Sequence, residues 1–123
     1  MTQAIHQSAD ALIDEFESAL RSPQRPDISS FLAKTTEVDR PAVLRELAGL
    51  ELEYRLRAGE PARVEECLSR FPTLGAESAA ILGLVELEFR VRLDCAERVA
   101  VDEYLERFPT MRATLPGLLG PLR

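Results

Sequence analysis

Val64-Glu-Glu-Cys-Leu-Ser-Arg-Phe-Pro-Thr73 returns further along the chain as Val101-Asp-Glu-Tyr-Leu-Glu-Arg-Phe-Pro-Thr110. A fainter copy, Ile28-Ser-Ser-Phe-Leu-Ala-Lys-Thr35, lies upstream. A fixed period of about 36 residues marks stacked supersecondary units, none of which can bury its apolar face alone. Each copy reads as a short helix: Val64 to Arg70 and Val101 to Arg107 are each stopped by Phe-Pro, because the residue before a proline is pushed out of the helical region. Ile28 to about Lys34 is the first copy, with Asp27 as a suitable N-cap.

Longer helices precede the short ones. From about Gln3 to Leu20, the residues Ile5, Ala9, Leu12, Ile13, Phe16 and Leu20 recur at helical spacing. Pro23 and Pro26 then break the pattern. A second long helix runs from about Pro41 to Ala58, capped by Asp39, carrying Val43, Leu47, Leu50 and Tyr54, and stopped by Gly59 and Pro61. A third runs from about Ala76 to Leu93. Ile81, Leu82, Val85 and Phe89 form one apolar stripe and Leu84, Leu87 and Val91 a second, so this helix is expected between neighbours. Glu86 with Arg90 and Glu88 with Arg92 are placed on its exposed edge. The tail from Met111 to Leu122 reads as a last helical stretch.

The long helices align as well. Leu50-Glu-Leu-Glu-Tyr-Arg55 matches Val85-Glu-Leu-Glu-Phe-Arg90, and Ile13-Asp-Glu-Phe-Glu17 is the weaker first copy, with Phe16 in the place of Tyr54 and Phe89. Leu52 and Leu56 then correspond to Leu87 and Val91, whereas the first unit has Asp14 and Ser18. Polar residues at that place suit an end cap, so the first helix is expected at the solvent edge, with Leu115, Leu118, Leu119 and Leu122 covering the opposite end. No alternating β-branched run appears. The expected fold is all-α: one domain over residues 1–123, with three stacked long-short helix pairs and six to seven helices in one compact bundle. The units cover about 3–36, 39–73 and 76–110, followed by a C-terminal cap at 111–123. Tetratricopeptide arrays have a similar period, but their paired helices match in length and their Trp-Leu-Gly-Tyr pattern is missing.

The 123 residues carry a net charge of -6, with 46% hydrophobic and 29% charged residues. That balance argues against nucleic acid, whose phosphates need concentrated Lys and Arg. No apolar run reaches the length of a membrane helix, and the N-terminus lacks the basic start and apolar core of a signal peptide, so a cytoplasmic location without membrane insertion is expected. Cys67 and Cys95 are too far apart for a redox or zinc motif, and Cys67 reads as a small core residue where the other copies have Phe31 and Tyr104. The only histidine, His6, stands near the N-terminus, which leaves little for a nucleophile and oriented base. Neither a di-iron carboxylate pattern nor a glycine-rich phosphate loop is present. No enzyme activity and no cofactor are expected. Glu51, Glu53, Glu86 and Glu88 read as charged helix surface. Arg70-Phe71-Pro72 and Arg107-Phe108-Pro109 read as punctuation, with Phe anchoring the short helix, Pro stopping it and Arg favouring the negative helix end. Arg70, Arg107, Glu86 and Arg90 are the candidates for contact with a protein partner.

Three stretches carry a resemblance. Leu12-Ile-Asp-Glu-Phe-Glu-Ser-Ala-Leu-Arg21 with Arg25-Pro-Asp-Ile28, then Asp39-Arg-Pro-Ala-Val-Leu-Arg-Glu-Leu-Ala-Gly-Leu-Glu-Leu-Glu-Tyr-Arg55, and Glu65-Glu-Cys-Leu-Ser-Arg-Phe-Pro72 together resemble the segment that precedes the kinase domain in planctomycete-type bacterial serine/threonine protein kinases. That family usually has Glu-Glu-Tyr-Leu-x-Arg-Phe-Pro, from which Cys67 departs. In such kinases the segment lies just before a glycine-rich loop, and Arg123 falls where that loop would begin. The catalytic Lys, His-Arg-Asp and Asp-Phe-Gly motifs are missing from this sequence, so no kinase residue carries over. The resemblance implies a non-catalytic regulatory or protein-interaction module, with a kinase domain or signalling protein as partner. The alternative is a homotypic assembly domain of the six-helix death-fold kind.

Overall fold

The computed structural model describes residues 8–119 and is an all-α bundle, with no strand among the described residues. Its elements are α1 (Ala9–Leu20), α2 (Ile28–Leu32), α3 (Arg40–Arg57), α4 (Val64–Arg70), α5 (Ser78–Asp94), α6 (Val101–Arg107) and α7 (Leu115–Leu119). Short 3-10 turns at Pro72–Ala76 and Pro109–Met111 follow α4 and α6. The expected helical start at Gln3 and the tail residue Leu122 lie outside the described residues.

The helix ends are closed in different ways. Ser8 opens α1 by accepting a hydrogen bond from the Ala11 amide at 3.2 Å. The two acidic caps expected from the sequence work differently. The Asp27 carboxylate accepts from the Ser30 hydroxyl at 3.0 Å rather than from a helix amide. Before α3 it is Thr36, not Asp39, whose side chain accepts an amide, that of Asp39 at 3.1 Å. Pro41 sits in the first turn of α3, where its missing N–H is not needed. Both α3 and α5 end in the same closing motif, with a left-handed residue after the cap. Gly59 has φ 86° and Ala96 φ 65°. The amides of Glu60 and Glu97 then reach back to the carbonyls of Arg55 and Arg92 at 2.9 and 3.0 Å.

α3 packs against both α1 and α5, and α5 packs in turn against α7. One continuous core runs from Leu12 on α1 to Leu119 on α7. Asp14 and Ser18 are exposed on α1, whereas Leu52, Leu56 and Val91 are buried and Leu87 is half-buried. Leu115 and Leu119 are buried at the opposite end and Leu118 is half-buried.

The structure corrects the repeat alignment in the long helices. The local match of Leu50–Arg55 to Val85–Arg90 is two residues out of register. Burial pairs Leu47 with Leu84, Ala48 with Val85, and Leu52 with Phe89. In α1, Leu12, Phe16 and Leu20 occupy the places of Ala48, Leu52 and Leu56. Phe16 therefore corresponds to Leu52 and Phe89, not to Tyr54. The slip has a simple cause. α5 carries two apolar stripes, and a two-residue shift turns a helix by roughly 200°, laying one stripe over the other. With the structural register, the long-short contact repeats. Phe16 meets Phe31 edge-to-face at 5.2 Å, and Phe89 meets Tyr104 in the same way at 5.6 Å. The middle unit places the smaller Leu52 and Cys67 at these positions, both buried. Each aromatic pair adds about 0.5–1.5 kcal/mol beyond its buried area.

Candidate functional site

Two places concentrate the chemistry: a charged cluster where α4, α5 and α6 meet, and an apolar groove beside Arg70-Phe71-Pro72.

Glu88 centres the cluster. It lies on α5 and is completely buried, which corrects its expected place on an exposed edge. Oε1 accepts from the Val64 amide at 2.9 Å and from Arg107 Nη2 at 2.9 Å. Oε2 accepts from the Tyr104 hydroxyl at 2.5 Å and from Arg107 Nη1 at 2.6 Å. Arg92, also expected at the surface, is buried. Its guanidinium donates to Glu103 at 2.7 Å, to Glu97 at 3.0 Å and to Tyr104 at 3.1 Å. Arg107 closes the ring by donating to Glu103 at 2.9 Å and to Glu65 at 2.7 Å. A buried carboxylate is tolerable only with such compensation.

The ionisation of these groups follows from that geometry. Burial raises the Tyr104 hydroxyl above its ordinary value, and its bond to Glu88 adds to the rise. Burial alone would lower Arg107, but its bonds to Glu65 and Glu88 outweigh it and leave the guanidinium above its ordinary value. The bond from Arg92 holds Glu103 below the usual carboxylate range, and that from Arg107 does the same for Glu65. The cluster thus ties its own charges together, and both oxygens of Glu88 are occupied. Among the described residues, no group of three or more His, Cys, Asp or Glu is arranged to hold a metal.

This cluster is the third copy of a repeated contact. Glu15, Glu51 and Glu88 occupy one place on the long helices, and Lys34, Arg70 and Arg107 one place after or at the end of the short ones. The pairs lie at 3.8, 2.7 and 2.6 Å. The carboxylate is progressively enclosed, with side-chain exposure of 47%, 12% and 0%. Arg55 with Glu60 at 2.9 Å likewise repeats as Arg92 with Glu97 at 3.0 Å. The arginine of Arg-Phe-Pro therefore reaches back to the preceding long helix, rather than serving its own helix end. Phe71 is half-buried and Phe108 buried, each with the preceding guanidinium over its ring at 5.1 and 5.3 Å.

The sequence-nominated partner residues fall in different settings. Arg107 is 16% exposed and held by three carboxylates. Arg70 is exposed at the groove while bonded to Glu51. Glu86 and Arg90 form their own pair at 2.6 Å on α5. Among the described residues, no hydrogen bond or ion pair links that pair to Arg70 or Arg107.

The groove has a volume of about 700 Å³. Leu32, Leu44, Phe71 and Leu74 supply its apolar wall, and Arg40, Arg45 and Arg70 stand among its polar lining. The turn after α4 shapes it, because Pro72 ends the helix and carries the chain toward α5. Sequence reading nominated Arg70 at this site but missed the groove itself, because Leu44 and Leu74 belong to the apolar pattern of the core. The available signal was Val38, an apolar residue outside every helical stripe, between Glu37 and Asp39. Set against family models, curated proteins and solved structures, the chain matches none of them.

Proposed function

We propose that this chain is a non-catalytic protein-interaction or regulatory module of the kind that precedes a bacterial serine/threonine kinase domain. The carrying observation is the contrast between its two chemical centres. The charged cluster consumes its hydrogen-bonding capacity internally, as a structural lock does. The groove leaves the half-buried Leu32 and Phe71 and the exposed edges of Arg40, Arg45 and Arg70 open to a polypeptide, the arrangement used where an amphipathic segment docks. The motif resemblance supplies the kinase connection, and a cytoplasmic setting rests on the sequence expectation alone.

Titration calorimetry of the chain against the catalytic domain of a planctomycete-type kinase tests the proposal. Binding is expected, and Phe71→Glu or Arg70→Glu should weaken it at least tenfold while Arg90→Ala has a smaller effect. Absence of heat and of any change in phosphoryl-transfer rate at saturating concentrations would contradict it.

A further inference from the structure

Val38 is the most exposed large apolar side chain among the described residues, at 88%. It stands between Glu37 and Arg40, which both line the groove. The loop that carries it is held in shape: Thr36 accepts from the Asp39 amide at 3.1 Å, and the Thr36 carbonyl accepts from the Arg40 amide at 3.0 Å. Val38 is therefore presented outward by a fixed turn. The carboxylates of Glu37 and Asp39 have no ion-pair partner among the described residues. The Arg40 guanidinium makes one long hydrogen bond, 3.4 Å to the Thr35 carbonyl, and no ion pair.

An exposed apolar residue flanked by unpaired acids thus borders an apolar groove with an unpaired arginine. These parts are complementary, but within one chain the loop lies at the groove's edge. Two copies related by a two-fold axis near this loop satisfy both sets, since in such an interface each partner offers the same patch to the other. We propose that the groove binds a second copy of this chain, Val38 of each entering between Leu32 and Phe71 of the other, both half-buried in the groove wall, with Glu37 and Asp39 facing the other's Arg40. This rests on the reading of the domain as an interaction module and names one of its partners.

The preformed loop lowers the ordering cost of pairing, and a contact built on one apolar side chain and its flanking charges per copy points to a weak, reversible dimer. Sedimentation equilibrium of the full chain from about 10 μM to about 1 mM should show a monomer–dimer equilibrium with a dissociation constant on the order of 100 μM. Val38→Glu and Arg40→Glu should each weaken pairing at least tenfold, with unchanged circular dichroism and melting temperature. Mixing the Arg40→Glu chain with a Glu37→Arg, Asp39→Arg chain should restore a heterodimer. A wild-type chain that is strictly monomeric at about 1 mM, or a Val38→Glu chain that pairs like wild type, would overturn the inference. A monomer that still binds the kinase catalytic domain overturns the self-pairing alone. A dimer that leaves the kinase untouched supports self-pairing and counts against the kinase connection.

Discussion

Glu88 is the side chain on which the third unit turns. Its carboxylate holds an amide of α4, a hydroxyl and a guanidinium of α6. Removing one member of a buried charged set strands the others, which costs about 3–5 kcal/mol. Glu88→Gln should therefore lower unfolding free energy by about that amount in urea titrations, and Tyr104→Phe by about 1–3 kcal/mol. Equivalent changes at Glu15, which is half-exposed, should stay within about 1 kcal/mol. The two thiols should separate cleanly. Burial pushes Cys67 up to about 11, whereas Cys95 is exposed. At pH 8 a thiol reagent should modify Cys95 readily and Cys67 only after denaturant is added. Acid provides a further check. Glu60 is held down to about 2 from an ordinary 4.5, first by its bond from Arg25 and then by that from Arg55. Glu65 and Glu103 are lowered in the same direction. Depressed carboxylates contribute their full stability above their unfolded pKa and lose it as pH falls through the folded one. The urea midpoint should thus hold near neutrality and fall between pH 4.5 and 2.

At the scale of elements, helix ends and register carry the lessons. Gly59 and Ala96 occupy the same left-handed position after α3 and α5, but only glycine takes it without strain. Ala96→Gly should raise stability by about 0.5–1 kcal/mol, and Gly59→Ala should lower it by about 1 kcal/mol, as thermal melts will show. A Cβ on Gly59 would meet no atom within 4 Å, so the second cost is conformational rather than steric. The short helices α4 and α6 were legible to the residue, because Phe-Pro fixes their ends. The long helices were legible as elements but misaligned between units, because two apolar stripes accept a two-residue slip. Burial of Glu88 and Arg92 was illegible for a related reason. An i,i+4 pair looks the same in sequence whether water or another helix covers it, and the covering groups, Tyr104 and Arg107, come from α6.

Across the whole molecule, one contact appears three times and grows more enclosed along the chain, from Glu15–Lys34 through Glu51–Arg70 to Glu88–Arg107. Repetition explains why the all-α architecture could be read from sequence. It also explains why the groove could not, since its wall uses residues of the repeating apolar pattern. Their exposure depends on how α2, α3 and the turn after α4 sit together. No helix among the described residues is long and apolar enough to cross a membrane. Amide chemical shifts directly distinguish the locked Glu88 cluster from the groove proposed as a contact surface. In a dilution series from about 1 mM to about 20 μM, peaks of Leu32, Val38, Arg40, Leu44 and Phe71 should move together while those of Glu88, Tyr104 and Arg107 stay fixed. Shifts confined to the Glu88 cluster, or a spectrum that does not change at all, would contradict that proposal.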